Sequence, residues 1–475
     1  MSKPCRLQKI NNSSLPDKDI NDTTREDFIS QLPDEVLSFI LSKLTLKESV
    51  GTSILSHRWR HVSASPSILV FDWLNMFCVA QNHQTEHSCR MNEEKFVRGV
   101  NQYLDFYKDI CLHSFKVSFC IGHGFTSDID RWVSFAIRMG VQTLSLELYC
   151  KASCVYRTID MLGQETERKY VLQSSLLEGA KANLKHLDLV ACRLERNFTT
   201  QFSFLETLTL AYSPLAKYDL QSMFSYMANL RHLMFDACML PVKLSLGSLL
   251  LLKRFYLKRC VGIKEIELSN VNLLYFQCIG REVITYNLSG VPNLIELKIS
   301  VKSRRIFDIF TTVPESLPLL KGLAVYTRSN WVKHVPESIT VFRNVLLLKL
   351  VLARDIDFDI LKMISILRAF PHLMQFCLVA SSSKDKQGKL QLSEYIFKHL
   401  KHVNLSGFSG TPNQIEFAKY LLKNALILEE LVINPKANFL VEKRPSWDEG
   451  EGKMVTQTLQ EFYKEINANC RMSIH

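Results

Sequence analysis

One short apolar pattern recurs along most of this chain and dictates what it can fold into: an apolar residue followed by apolar residues three and five positions later. It reads Leu184-Leu187-Leu189, Leu205-Leu208-Leu210, Leu230-Leu233-Phe235, Leu252-Phe255-Leu257, Leu273-Phe276-Cys278, Leu294-Leu297-Ile299 and Leu320-Leu323-Val325. It continues as Val345-Leu348-Leu350, Leu373-Phe376-Leu378, Leu400-Val403-Leu405 and Leu428-Leu431-Ile433. Two weaker copies, Leu112-Phe115-Val117 and Val141-Leu144-Leu146, precede them. From Leu184 on, the leading residues step by 21, 25, 22, 21, 21, 26, 25, 28, 27 and 28. Side chains alternate across a strand, so the plus-three and plus-five residues share one face. A strand this short cannot bury that face alone, and neighbouring units must stack. Thirteen copies, each adding about 4.8 Å, give a curved sheet roughly 60 Å long.

These steps fall in or near the range of leucine-rich repeats. Cys192, Cys238 and Cys260 stand at plus eight of their units. That is the turn position where a buried polar side chain ties the chain after the strand. The last units are longer. Residues 381–389 read as a polar loop, and Thr411-Pro412, with Gln414 three after the cap, opens a helix. Ile415, Ala418, Leu421, Leu422 and Ala425 line its buried face, between strands at 400–405 and 428–433. This strand–helix–strand unit is expected to cap the array, and Val455, Leu459, Phe462 and Ile466 suggest a final amphipathic helix. The expected fold class is α/β: a small all-helical module, then a curved solenoid with that cap.

The helical module lies at 32–62. Pro33 suits a first helical position, with Asp34 and Glu35 in the first turn where the helix dipole favours negative charge. Val36, Leu37, Ile40, Leu41 and Leu44 follow at helical spacing. Thr45 and Glu48 have the spacing of a capping box, which starts a second helix carrying Val50, Ile54 and Leu55. A segment at 56–62 with Trp59 closes the unit. About forty residues cannot bury this many large apolar side chains by themselves. The surplus faces either a protein partner or the rest of the chain.

Other function classes leave no mark. There is no phosphate-binding glycine loop, no His-Glu-x-x-His and no Gly-x-Ser-x-Gly. Cys78, His83, His87 and Cys89 are zinc-type ligands, but their spacing matches no zinc motif, so no metal or cofactor is expected. His399 and His402 flank a predicted strand and read as structural or solvated. Net charge is +11 on 475 residues without a dense basic run, which speaks against nucleic acid. The thirteen cysteines are scattered, with no Cys-x-x-Cys pair, as in a reducing compartment. No apolar run could span a bilayer, and no secretory leader is evident, so the expected location is cytoplasmic and/or nuclear. In the middle units, the plus-two, plus-four and plus-six side chains face away from the core and include His186, Asp188, His232, Asp236, Arg254, Tyr256, Lys258, Tyr275 and Gln277. Such a face suits an acidic or phosphorylated segment, or is an ordinary solvated strand face.

Leu32-Pro33-Asp34-Glu35-Val36-Leu37, Ile40-Leu41-Ser42-Lys43-Leu44, Thr52-Ser53-Ile54-Leu55-Ser56 and Arg58-Trp59-Arg60 closely resemble an F-box, with His61-Val62 where many relatives have an apolar pair. With the repeats behind it, the chain resembles a plant-type F-box/leucine-rich-repeat protein, and residues 399–435 are similar to the FBD domain that ends many members. The resemblance implies a non-catalytic substrate-recognition subunit of a Skp–cullin–F-box ubiquitin ligase. The F-box would bind a Skp-type adaptor and, through it, cullin and RING subunits, while the repeats bind a protein substrate. By motif position Leu32, Pro33, Val36, Leu37, Ile40, Leu41, Leu44, Leu55 and Trp59 would form the adaptor-facing and supporting surface. Of the outward residues, His186, His232, Arg254, Tyr256, Lys258, Tyr275 and Gln277 are the candidate substrate contacts. Alternatives are a small-molecule co-receptor or a scaffold acting outside a ligase. The expected division is a disordered tail (1–25), F-box (26–66), connecting segment (67–110), repeats (111–395), FBD-like cap (396–440), and a charged loop with a C-terminal helix (441–475).

Overall fold

The computed structural model describes residues 29, 31–41, 43–52, 56–59, 67–77, 92–107, 112–121, 123–149, 169–180, 183–195, 202–269, 272–280, 282, 284–301, 306–327, 339–352, 360–380, 394–434, 457–461 and 470–474. The predicted tail, the 381–389 loop, and Cys78, His83, His87 and Cys89 lie outside them.

Each of the thirteen sequence units places a strand at its plus-two position, as in His186–Val190, Thr207–Ala211 and His232–Asp236. Among the described residues, fifteen strands form one parallel sheet in chain order. Neighbours pair without slippage, so Leu187, Leu208, Leu233, Phe255 and Phe276 stand side by side. All five are buried. The leucines therefore fill a continuous core, each contributing on the order of 1.5–3 kcal/mol. Phenylalanines extend it: the Phe255 and Phe276 rings stack 5.7 Å apart, and those of Phe342 and Phe370 4.4 Å apart. Behind the sheet, Lys243–Ser245, Glu265–Glu267 and Thr285–Tyr286 form a second, short parallel sheet. Helices such as Thr126–Arg138, Met363–Arg368 and Pro412–Asn424 fill longer connections.

Two strands were not foreseen. Ile68–Asp72 opens the sheet within the expected connecting segment, and Arg471–Ile474 closes it beyond the expected cap. Their leading positions hold Pro66 and Asn469 rather than an apolar residue. An edge unit has a neighbour on one side only, and here the apolar triad is incomplete. The helix predicted near the C-terminus is present at 457–461, with Leu459 fully buried, but the chain then returns to the sheet. At the other predicted cap, Gln414 Oε1 accepts from Thr411 N at 3.3 Å and from Ser409 N at 2.8 Å. Among the described residues no helix is long and apolar enough to cross a membrane.

Strand exits are built alike. Ala191, Tyr212, Ala237 and Arg259 each adopt a left-handed conformation, with φ of 59°, 53°, 50° and 53°. Non-glycine residues enter this region at a cost of roughly 1–2 kcal/mol each. The next residue holds the turn. Cys238 Sγ donates to the Leu210 carbonyl at 3.2 Å, Cys260 Sγ to Lys258 at 3.3 Å, and Cys192 Sγ to Val190 at 3.6 Å. Ser213, at the same position, donates to the Cys192 carbonyl at 2.6 Å. Strand entries have a second clamp: Asn229, Asn272 and Asn344, just before their leading residues, donate to carbonyls of the preceding unit at 2.5, 3.3 and 2.7 Å.

Burial pushes the thiols of Cys192 and Cys278 up to about 12, and that of Cys260 well above its ordinary value, with neighbouring Cys238 adding to the rise. Only the thiolate is nucleophilic. Iodoacetamide at pH 8 is expected to leave Cys192, Cys260 and Cys278 unmodified in the native chain and to alkylate them after unfolding, as mapped by mass spectrometry; labelling of Cys192 in the native chain would contradict this. Leu233→Ala, at a fully buried site, is expected to cost roughly 2–5 kcal/mol in denaturant unfolding. Lys253→Ala, exposed on the same array, should leave the midpoint unchanged.

Candidate functional site

The N-terminal module has an inside and an outside. Leu37, Leu41 and Trp59 are buried together, with Leu32 packed against them, so these four predicted residues support the module. Ile40 is half-buried. Pro33, Val36 and Leu44 point outward, with Val36 40% and Leu44 38% exposed. Leu55 lies outside the described residues. Phe39, 63% exposed, and Ile29, 57% exposed, join the outward set and were missed from the sequence. Helical spacing held the signal for Phe39, which follows Val36 by three. Lys43 Nζ sits 4.8 Å from the Phe39 ring centre.

The first helix, Asp34–Leu41, starts one residue later than expected, with the Pro33 carbonyl accepting from Leu37 N at 3.0 Å. Arg58 ties the ends of the module together: Nε donates to Asp34 Oδ1 at 2.8 Å and the guanidinium also reaches the Leu32 carbonyl. The second helix, Leu46–Thr52, begins at the predicted capping box, where Glu48 accepts from Thr45 N at 2.9 Å and Oγ1 at 2.8 Å. Those bonds hold the Glu48 carboxyl below its usual range.

The Asn75 side chain hydrogen-bonds this module to the start of the sheet. Asn75 Oδ1 accepts from Leu46 N at 2.9 Å, its own N–H reaches Asp72 Oδ1 at 2.8 Å, and its Nδ2 donates to the Val70 carbonyl at 2.5 Å. Leu46 itself is buried in the main core. The neighbouring rings reinforce the joint: Trp73 stacks on Phe119 at 5.6 Å, and Phe96 on Phe119 at 4.3 Å.

On the sheet face away from the core, pairing register brings the seven candidate substrate contacts into ordered rows. One row runs His186, Thr207, His232, Arg254, Tyr275, Glu296. The next runs Asp188, Thr209, Met234, Tyr256, Gln277, Lys298. Lys258 lies in the third, beside Asp236. All seven candidates are half-exposed. The Arg254 guanidinium sits 4.7 Å from the Tyr275 ring centre, and Lys258 Nζ 5.9 Å from that of Tyr256. Among the described residues no carboxylate pairs with Arg254 or Lys258. Asp236 is taken by Arg259, through Nε at 2.9 Å and a terminal nitrogen at 2.6 Å. Farther toward the N-terminal edge, Lys116 and Glu147 satisfy each other at 2.5 Å; on the other side Lys298 pairs with Glu296 at 3.2 Å. Desolvation first, then Arg254, His186 and Arg231, hold His232 below its ordinary value against the pull of Glu206. Among the described residues no group of three or more His, Cys, Asp or Glu side chains is placed to hold a metal.

Residues 29–71 match the F-box domain, and residues 107–468 match the family described as At1g61320/AtMIF1, LRR domain. The Arabidopsis thaliana F-box/FBD/LRR-repeat protein At5g22700 is 35% identical over 137 residues, which make up 29% of this chain and 28% of that protein. The Arabidopsis thaliana putative FBD-associated F-box protein At5g22720 is 30% identical over 142 residues, 30% of this chain and 27% of that protein. The chain thus spans less than a third of the length of these relatives. A longer match, to the Arabidopsis thaliana F-box/FBD/LRR-repeat protein At1g13570, is 23% identical over 431 residues, covering 86% of this chain and 91% of that protein. An internalin of Listeria monocytogenes superposes on 68% of this chain and 94% of its own with 12% identity and a TM-score of 0.26, too low to bear on the fold. With its repeats matched over most of their length and an F-box ahead of them, the chain belongs to the At1g61320/AtMIF1 leucine-rich-repeat family and is an F-box/leucine-rich-repeat protein.

Proposed function

We propose that this chain is the non-catalytic substrate-recognition subunit of a Skp–cullin–F-box ubiquitin ligase. The observation that carries this reading is the outward apolar face of the F-box, Pro33, Val36, Phe39 and Leu44, on a module joined through Asn75 to a long repeat sheet. Such a face is a partner surface: exposed large apolar side chains clustered on one short module gain by being covered. The partner is a Skp-type adaptor, which links the chain to cullin and RING subunits. Leu32, Leu37, Leu41 and Trp59 shape the surface from beneath. The chain itself does no chemistry in this reading. It raises the local concentration of substrate at the ligase, and the rate gain comes from proximity.

The substrate is a protein segment carrying carboxylates or phosphates, recognised on the open sheet face by Arg254 and Lys258, with Tyr256 and Tyr275 beneath the cations. Guanidinium–phosphate pairing is charge-assisted and directional. His186, His232 and Gln277 extend the donor set. Strands His402–Ser406 and Glu430–Asn434 around helix Pro412–Asn424, which we read as FBD-like, lie one strand short of the C-terminal edge of the sheet.

Two measurements test this. Val36→Asp/Phe39→Asp places charges where the adaptor would desolvate them. It is expected to abolish co-purification with a Skp-type adaptor while leaving the unfolding midpoint of the chain unchanged; equal recovery with the wild type would contradict the adaptor reading. Arg254→Glu/Lys258→Glu is expected to lower retention of a random phosphopeptide library by at least about tenfold, on the scale of hot-spot losses, with adaptor recovery intact. Undiminished retention removes the assignment of the substrate face.

A further inference from the structure

A second feature of the array lies outside the open face. A groove of about 630 Å³ runs along the leading edge of the sheet, lined by Ile295, Leu319, Lys321, Arg343, Asn344, Leu346, His372, Met374 and His399. Its walls are two rows of equivalent positions. Ile295, Lys321, Leu346 and Met374 each follow the buried leading residue of a unit; Leu319, Asn344, His372 and His399 each precede one. Backbone bonds fix the first row: Lys321 N to Ile295 O, Leu346 N to Lys321 O and Met374 N to Leu346 O, each 2.8 Å. Asn344 donates to the Pro318 carbonyl, so the second row is clamped as well.

The chemistry of this groove is one-sided. Leu319 is 50% and Met374 36% exposed, an apolar surface that water wets at a cost. No carboxylate lines the groove, and among the described residues none pairs with Lys321 or Arg343. The His372 and His399 rings lie 5.1 Å apart along the same wall. Apolar side chains interspersed with two cations that no described carboxylate pairs, and with two imidazoles, are complementary to an occupant that carries both apolar side chains and carboxylates. The shape selects further. Five units take part, four strand spacings or about 19 Å. An extended peptide rises about 3.3 Å per residue, so roughly six residues fill it.

We propose that this edge groove is a docking site for an extended acidic segment of a partner protein, about six residues long, in which Asp or Glu alternates with large apolar residues. It rests on the reading of the repeats as the partner-binding part of the chain and gives that reading a second contact, separate from Arg254 and Lys258. Leu319, Leu346 and Met374 take the apolar side chains, and Lys321 and Arg343 take the carboxylates. His399, which the sequence offers only as a structural or solvated residue, becomes part of a binding wall.

Fluorescence anisotropy with the full chain tests this, using labelled octapeptides of alternating Glu and Leu and of alternating Lys and Leu. The Glu–Leu peptide is expected to bind at least tenfold more tightly than the Lys–Leu peptide. Lys321→Glu/Arg343→Glu, both at surface positions, is expected to remove the larger part of that preference, and Arg254→Glu/Lys258→Glu, on the open face, only the smaller part. No binding of the Glu–Leu peptide, equal binding of both peptides, or loss in the Arg254/Lys258 variant instead would overturn the proposal. Adaptor co-purification separates the two levels: if it persists while the peptide result fails, only the groove falls. If it fails in the wild type, the receptor reading falls whatever the peptide does.

Discussion

In-register stacking of parallel strands is the constraint on which the rest of this molecule depends. No single unit could bury its two inward side chains, and each is covered only by the next, so Leu208 needs Leu187 and Leu233 beside it. Register is what turns a sequence period into a surface. A slip of one residue between two strands would send every inward leucine outward. Because no slip occurs, His232, Arg254 and Tyr275 become neighbours across three strands although more than twenty residues separate each from the next along the chain. The same constraint lays Lys321, Leu346 and Met374 along one edge.

Local devices at several strand ends help to keep that register. At the exit, a left-handed residue and a buried thiol or hydroxyl bend the chain away; at the entry, asparagine amides reach back to the preceding unit. The thiols add a second bond to carbonyls that already accept a neighbouring N–H, such as those of Lys258 and Val190, and so tie each turn to the strand before it. Chemistry and architecture divide cleanly here. Cys192, Cys238 and Cys260 are occupied in turns, and burial holds the thiols of Cys192, Cys260 and Cys278 protonated, while the charges available to a partner sit on the open face and the edge.

Periodicity made the repeats legible, since three apolar positions recurring thirteen times leave little freedom of interpretation. Where the triad is incomplete, as at Pro66 and Asn469, the edge strands went unread. Strand alternation was enough to find the outward rows, because it is a local rule. It says nothing about Arg343 or His372, which precede the strand and whose direction follows from how the backbone arrives. In the F-box, helical spacing gave the apolar stripe but not its division into Leu37 and Leu41 inside and Val36 and Phe39 outside. That division depends on where Trp59 comes to rest. Asn75 left no signal at all: one amide in an aromatic segment, meaningful only once Leu46 and Val70 have been brought to it.

The joint at Asn75 makes the array a ruler. Asn75, bonded to Leu46 on one side and to Val70 and Asp72 on the other, and the buried Leu46 fix the first graduation relative to the helical module, and every later strand adds one mark of about 4.8 Å. Arg254 then stands at the seventh mark and Lys321 at the start of the tenth, counted from Ile68–Asp72. A stiff scale of this kind sets reach by counting. Gaining or losing one repeat between the joint and a binding row would displace that row by a single strand spacing and alter none of the row's own contacts. Reach and recognition can therefore change independently in a chain built this way.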